Sequence, residues 1–148
     1  MMGDALSAFS PPVSRWFRET FGEPTPPQAE GWPPIQRGEH TLILAPTGSG
    51  KTLAAFLWGI DQILTEEGRQ TAERGAAPSS SASLPSSVSL LYISPLKALN
   101  NDIERNLRAP LSGIRATAAR TGQHLPPLRV AVRTGDTSSS ARAFWDCS

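Results

Sequence analysis

The segment APTGSGKT, from Ala45 to Thr52, combines glycines, a lysine and a threonine in an order that suits phosphate chemistry. Gly48 and Gly50 let the backbone approach a polyphosphate closely and adopt dihedral angles that other residues disfavour. Their N–H groups would face the phosphates, aided by the positive end of a following helix. In this pattern Lys51 reaches the β- and γ-phosphates and the Thr52 hydroxyl binds Mg²⁺. We call this segment the phosphate loop.

The flanking sequence favours this interpretation over a solvated glycine turn. The apolar run HTLILA predicts a buried strand that ends at the phosphate loop. An amphipathic helix is predicted to begin near Gly50, with an apolar stripe at Leu53, Phe56, Leu57, Ile60 and Leu64. A match to the motif needs this strand, loop and helix context. One departure remains, because the motif normally begins with glycine and here begins with Ala45.

Two short helices are predicted ahead of the phosphate loop. The first lies between a capping Ser10 and a terminating Gly22, with Val13, Trp16 and Phe17 on one face. The second is expected to begin after Thr25 and to falter at Trp32, before two prolines. We group residues 1–40 as an N-terminal helical part and residues 41–148 as the first part of a larger domain.

Beyond the phosphate loop the pattern again alternates between strands and helices. Residues 65–87 are rich in Ser, Ala, Gly and Pro and predict a low-complexity loop. The run SLLYIS predicts a second strand, and a helix follows that Pro110 should kink or divide. The run LRVAVRT predicts a third strand. The fold class is therefore α/β, with a parallel sheet flanked by helices.

Composition limits the class of protein. The chain has 148 residues, enough for one compact domain, and its 39% hydrophobic and 18% charged residues are ordinary for a soluble protein. We find no membrane-spanning run or secretory signal and expect a cytoplasmic protein. With Cys147 alone and two distant histidines, neither a disulfide nor a structural metal site is expected. Net charge is −3 over residues 1–89 and +4 over residues 90–148. The basic part suits either a phosphate backbone or a solvated surface.

Gln28 lies about twenty residues before the phosphate loop, within FGEPTPPQ. A glutamine amide can accept from the adenine amino group and donate to a ring nitrogen, which distinguishes adenine from guanine. Alternatively, Gln28 is the third residue of a helix and its side chain caps the backbone. The nearby phosphate loop favours adenine recognition.

Together, FGEPTPPQ and APTGSGKT resemble the superfamily 2 helicases, in which an adenine-reading Gln motif precedes the phosphate loop and Ala at the first position is common. YISPLKALNNDIERNLRAPLSGI and RTGDT are similar to the Lhr-type, large helicase-related DNA helicases. The resemblance runs from about Val13 to Arg142, except for the Ser-rich segment. It implies an incomplete RecA-like domain, ATP and Mg²⁺ as cofactors, and Lys51 as the catalytic residue. The implied ATP-binding residues are Gln28, Thr47, Gly48, Ser49, Gly50, Lys51 and Thr52, with Thr52 as the Mg²⁺ ligand.

The same resemblance implies two contacts with DNA, single-stranded or partly duplex. Residues 94–97 (Ser94, Pro95, Leu96 and Lys97) match the motif that lines the nucleic-acid strand, and residues 133–135 (Arg133, Thr134 and Gly135) match a second backbone contact. The alternatives are a solvated Lys97 and an ordinary turn at 133–135. Asp136 is assigned to loop structure or nucleic-acid positioning, because Thr137 follows it rather than the glutamate of an ATPase acid pair.

Hydrolysis also needs an acid pair, a water-positioning residue and an arginine that stabilises charge. The sequence contains no Asp-Glu pair, so it resembles the amino-terminal piece of a helicase. We therefore expect the chain to bind ATP weakly without appreciable turnover. Two other functions stay open from the residues alone, a P-loop kinase of a small metabolite and a silent nucleic-acid-binding module.

Overall fold

The computed structural model describes residues 4–73, 90–93 and 97–125, together with Leu128 and Val130. This part of the chain contains four α-helices, α1 (Pro11–Phe21), α2 (Pro26–Gln36), α3 (Lys51–Glu73) and α4 (Lys97–Arg120). Helix α2 packs against α3, and α1 packs against α4. None of these helices is both long and apolar enough to cross a membrane.

Helix α1 has the predicted limits and the predicted buried face. It begins after Ser10, buries Val13, Trp16 and Phe17, and ends at Gly22, whose φ of 77° lies in the left-handed region. The Ser10 side chain does not cap its own helix. Its hydroxyl donates to the Asp61 carboxylate of α3, which also accepts the Ser10 N–H at 3.1 Å. A carboxylate from another helix therefore caps α1.

Asp61 is only 1% exposed, although it is an acidic residue. Burial raises the pKa of its carboxyl above the ordinary value, and the two hydrogen bonds from Ser10 oppose that shift. Desolvation penalises the charged form, whereas donors aimed at the carboxylate stabilise it. The Asp61 carboxyl thus links α3 to the start of α1 at the expense of burying an acid.

Helix α2 continues through Pro33 and Pro34 to Gln36, so the expected break at Trp32 is wrong. Each proline removes one N–H donor and crowds the carbonyl four residues earlier. Tertiary contacts offset that loss, because the Trp32 ring is fully buried and its indole N–H donates to the Ala54 carbonyl at 3.1 Å. The packing of one aromatic side chain therefore holds the prolines in a helix.

The core lies between the helices and is rich in aromatic rings. Trp32 meets Phe9 edge to face with ring centroids 4.9 Å apart, and meets Phe17 in the same way at 5.4 Å. The predicted stripe of α3 faces this core, although Leu53 is only partly buried. The buried cluster consists of Leu6, Phe9, Val13, Trp16, Phe17, Trp32, Phe56, Leu57, Ile60, Leu64 and Ile114.

Helix α3 is longer than expected. Residues 65–73 are helical, so the prediction of a loop from residue 65 is wrong, and residues 74–87 lie outside the described residues. Glu, Gln and Ala in this stretch are strong helix formers. Thr65 also fits the helix, because its hydroxyl donates to the Asp61 carbonyl at 2.8 Å. Local propensity here outweighs the low-complexity pattern.

Helix α4 is continuous from Lys97 to Arg120, so Pro110 does not divide it. Ile114 is buried, and Leu107 and Leu111 pack against the core. Gly113 meets the Trp16 indole so closely that a Cβ at that position would overlap the ring. Helix α1 therefore packs directly on the backbone of α4.

The described residues include no β-strand, and two of the apolar runs predicted as buried strands are exposed. Leu42 is 82% exposed and Leu44 is 84% exposed, and Ile93 is similarly open. A buried strand needs paired neighbours and a covering layer on each face. The described contacts of these two runs are with helices, because Ile43 approaches Gly31 of α2, Leu90 approaches Gly59 of α3, and the Tyr92 ring lies 5.1 Å from that of Phe56. The third predicted strand, 128–134, falls mostly outside the described residues.

Candidate nucleotide-binding site

The phosphate loop joins an extended segment to the first residue of α3. Gly48 has φ 79° and Gly50 has φ 83°, which confirms the predicted left-handed dihedrals. The Ser49 N–H donates to the Pro46 carbonyl at 3.4 Å inside the turn. Helix α3 begins immediately afterwards at Lys51, so the loop ends on the N-terminal N–H groups of a long helix.

The Lys51 ammonium lies against the beginning of its own loop. Its Nζ donates to the carbonyl of Ala45 and, at 2.5 Å, to the carbonyl of Pro46. Sequence reasoning expected this ammonium to reach toward phosphates and did not anticipate these carbonyl partners. Any residue supplies a carbonyl, so Ala45 makes this contact as well as glycine would. The departure from the usual motif therefore leaves the lysine anchor intact.

Residues at the start of α2 hydrogen-bond to the backbone of the phosphate loop. The Thr25 hydroxyl donates to the Ser49 carbonyl at 2.8 Å, and the Gln28 amide Nε2 donates to the Gly50 carbonyl at 3.3 Å. Gln28 is 4% exposed. These two bonds bring together segments more than twenty residues apart in the sequence and fix the loop on α2.

Gln28 also makes the capping contact that the sequence offers as its alternative role. Its Oε1 accepts the backbone N–H of Thr25 at 2.9 Å, as expected of the third residue of a helix. Each end of the amide thus makes one hydrogen bond, one within α2 and one to the loop. One N–H and one oxygen lone pair of the same amide have no bond to another described residue.

Gly50 is required at this junction for two separate reasons. Its φ of 83° disfavours any L-residue, and a Cβ would lie 2.5 Å from Gln28 Nε2 and 3.4 Å from the Thr25 hydroxyl. Gly48 has the same kind of dihedral, but nothing lies within 4 Å of the position that a Cβ would take there. Sequence reasoning found the conformational need and missed the close approach of Gln28.

The outer surface of the phosphate loop is open to solvent. Thr47, Gly48 and Thr52 are exposed, whereas Ser49 and Gly50 are partly buried against α2. The Ser49 hydroxyl oxygen is buried and has no hydrogen-bond partner in the part of the chain that is described. The loop therefore offers backbone donors and the Thr52 hydroxyl on an accessible face.

The predicted nucleic-acid residues are not tested by this geometry. Pro95 and Leu96, together with Ser94, lie outside the described residues, and so do residues 133–136. Lys97 is the first residue of α4, but its side chain is not among those described. These contacts stay predictions.

Trp32 is a residue that sequence reasoning overlooked as part of this site. The sequence pattern marks Trp32 only as the predicted end of α2. Its indole N–H donates to the carbonyl of Ala54, in the first turn of α3. The spacing of 25, 28 and 32 is a helical one and could have indicated that these side chains share a face.

Comparison with known proteins gives a consistent assignment. Residues 25–137 match the family model described as DEAD/DEAH box helicase. The chain is 44% identical over 135 residues to the Lhr helicase/uracil glycosylase of Escherichia coli, covering 91% of this chain and 8% of that protein. It is 47% identical over 143 residues to the ATP-dependent helicase Lhr-Core of Methanothermobacter thermautotrophicus, covering 95% and 15%. The chain thus spans only a small part of these relatives' length.

A solved structure agrees with these sequence matches. The chain is similar to the helicase Lhr of Mycobacterium smegmatis bound to ssDNA and AMP-PNP, with a TM-score of 0.79 and 45% identity. The match covers 95% of this chain and 16% of that one.

Proposed function

Because the chain belongs to the DEAD/DEAH box helicase family, we propose that it forms the ATP-binding part of a Lhr-like, ATP-dependent DNA helicase. The observation that carries this proposal is the pair of hydrogen bonds from Thr25 and Gln28 to the phosphate loop. A metabolite kinase has no need for an adenine-reading glutamine fixed to its phosphate loop. We infer that, in the whole protein, the three predicted strands HTLILA, SLLYIS and LRVAVRT pair in a RecA-like parallel sheet.

The residues of the site fit ATP. The free N–H and lone pair of the Gln28 amide match the donor and acceptor pattern of adenine. The phosphates lie along the N–H groups of residues 48–52, where the two left-handed glycines and the start of α3 favour an anion. The exposed Thr52 hydroxyl would hold Mg²⁺, whose positive charge would stabilise the bound triphosphate.

Binding of phosphate requires Lys51 to change partners. Its ammonium leaves the carbonyls of Ala45 and Pro46 and pairs with charged phosphate oxygens. The phosphate oxygens carry negative charge and the carbonyls are neutral, so Coulombic attraction to the ammonium favours the bound state. Removal of Lys51 therefore affects ATP affinity more than it affects the fold.

The DNA-binding part of the proposal rests on sequence matches. We assign Pro95, Leu96 and Lys97, and residues 133–135, to contacts with the backbone of a DNA strand. Support comes from the basic charge of residues 90–148 and from 45% identity to a helicase whose structure contains ssDNA. Backbone contacts of this kind carry affinity without reading sequence.

The 148-residue chain alone is proposed to bind ATP without turning it over. Hydrolysis needs an acid pair for metal and water, and the sequence has no adjacent Asp and Glu in that order. Phosphate release by the purified chain is the measurement that checks this. Turnover that rises on addition of single-stranded DNA would contradict it.

Nucleotide specificity tests the proposed role of Gln28. Wild type is expected to bind ATP more tightly than GTP in a titration with Mg²⁺ present, because only adenine matches the free amide groups. Gln28→Ala should reduce the ratio of the two affinities toward one, whereas Gln62→Ala, at an exposed position of α3, should leave it unchanged. Equal affinities of wild type for ATP and GTP would refute adenine recognition.

A further inference from the structure

Three side chains of α2 and its N-cap donate to three backbone carbonyls at the phosphate loop and the start of α3. We call Thr25, Gln28 and Trp32 the α2 donor row. Their acceptors are the carbonyls of Ser49 at 2.8 Å, Gly50 at 3.3 Å and Ala54 at 3.1 Å. Donors three and four residues apart share one face of a helix, and the acceptors advance along the chain in the same order. The row therefore follows the loop into the helix that carries Lys51 and Thr52.

The third member of the row is the most firmly held. Trp32 is fully buried, and its ring is fixed edge to face between Phe9 and Phe17. An indole has a single donor, and a buried donor without a partner is destabilising. The Ala54 carbonyl is the described acceptor of that donor. The bond thus ties the aromatic core to the first turn of α3.

The bonds of Trp32 and Gln28 are connected through the backbone. Ala54 accepts from Trp32 through its carbonyl, and its own N–H donates to the Gly50 carbonyl at 2.9 Å. The same Gly50 carbonyl accepts from Gln28. A shift of the first turn of α3 away from Trp32 would therefore disturb Gly50, where the loop has its left-handed bend.

From this geometry we infer that Trp32 is a positioning residue for nucleotide binding, which holds the first turn of α3 so that the N–H groups of the phosphate loop face the phosphates. Trp32 itself does not contact the nucleotide. The inference rests on the proposed binding of ATP by this loop. Trp32 affects ATP affinity because only molecules whose phosphate loop is correctly oriented bind ATP. A loop that is less firmly held therefore lowers the apparent affinity.

Trp16 provides a matched control. It is also a buried tryptophan, but it packs against Gly113 of α4 and donates no hydrogen bond to the loop among those described. Replacement of either tryptophan by phenylalanine removes an indole N–H and a similar volume from the core. The two variants differ in their connection to the phosphate loop.

The test compares ATP affinity of Trp32→Phe, Trp16→Phe and wild type by titration with Mg²⁺, at a temperature well below the unfolding of each. Loss of one buried hydrogen bond is expected to weaken ATP binding by Trp32→Phe about three- to tenfold, and Trp16→Phe should stay within about twofold of wild type. Equal affinity of Trp32→Phe and wild type, or an equal loss in both variants, overturns the inference.

A second measurement uses wild type alone, so it does not depend on whether a variant folds. In ¹⁵N-labelled wild type, the indole N–H resonance of Trp32 should shift on saturation with AMP-PNP, because phosphate binding at residues 48–52 perturbs the connected hydrogen bonds of Gly50 and Ala54. The resonance of Trp16 should not shift. A Trp32 resonance that stays fixed at saturation overturns the inference. Absence of nucleotide binding by wild type would contradict the proposed function, and the inference with it. If wild type binds ATP and the two variants lose affinity equally, only the inference about Trp32 is contradicted.

Discussion

Substitution of Gly50 by alanine tests how closely α2 meets the phosphate loop. The added Cβ would lie 2.5 Å from Gln28 Nε2 and 3.2 Å from its Cδ. The end of a glutamine side chain could normally move aside. Here the amide is buried, with one end bonded to the Thr25 N–H and the other to the Gly50 carbonyl, so movement breaks both contacts.

The expected loss of stability has two parts. An L-residue in the left-handed region costs about 1–2 kcal/mol, and that applies at both Gly48 and Gly50. Displacement of Gln28 removes two hydrogen bonds worth about 0.5–1.5 kcal/mol each. Gly50→Ala should therefore lower the free energy of unfolding by about 2–5 kcal/mol, and Gly48→Ala by only about 1–2 kcal/mol, because nothing lies within 4 Å of its added carbon.

Urea unfolding followed by tryptophan fluorescence measures both variants, and ATP titration follows the same ranking. The double variant Gln28→Ala/Gly50→Ala provides the internal control, because it removes the side chain that the new methyl meets. Its loss relative to Gln28→Ala should fall to the value of Gly48→Ala. Equal losses for Gly48→Ala and Gly50→Ala would refute the close approach of Gln28.

Two further predictions concern regions outside the loop. Burial holds the pKa of Asp61 above its ordinary value, so the folded state binds its proton more readily than the unfolded state. The stability of wild type relative to Asp61→Asn should therefore rise as the pH falls through the raised folded pKa of Asp61, and the rise should be complete below the unfolded pKa of about 3.9. Urea midpoints of both proteins, measured between neutral and acidic pH, check this. A stability difference that shrinks on acidification contradicts it. Because Leu42 and Leu44 expose apolar side chains, we expect the 148-residue chain to self-associate. Leu42→Thr/Leu44→Thr should reduce that self-association in sedimentation velocity and change stability by at most about 0.5 kcal/mol per site. The control Leu57→Thr, in the core, should instead destabilise the fold. If the double variant self-associates as much as wild type, the exposed Leu42 and Leu44 side chains do not cause the association.

Features governed by local sequence were predictable. Gly22 marks the end of α1 as predicted, since a left-handed glycine acts through its own backbone. Ser10 marks the predicted start, although its hydroxyl donates to Asp61 of α3 and does not cap α1 itself. The bend at Gly48 and Gly50 and the start of α3 at Lys51 followed from the motif in the same way.

Features that depend on distant contacts were not. Prolines argued for a break in α2, but the bond from Trp32 to Ala54 joins residues that no local pattern connects. The apolar run HTLILA predicted a buried strand, because hydrophobicity indicates which residues could be buried. Burial of a strand also requires neighbouring strands that pair with it, and the local sequence does not show these. Gln28 illustrates both limits, since its helical capping role is local and its bond to Gly50 is tertiary.

Calorimetric titration of the 148-residue chain with ATP and Mg²⁺ tests the central claim most directly, with Lys51→Ala measured alongside. The docked phosphate loop predicts saturable binding of one ATP per chain by wild type, and its loss in Lys51→Ala without a change in helix content. Absence of binding by wild type, or equal binding by both proteins, would contradict the assignment of residues 45–52 as the ATP site.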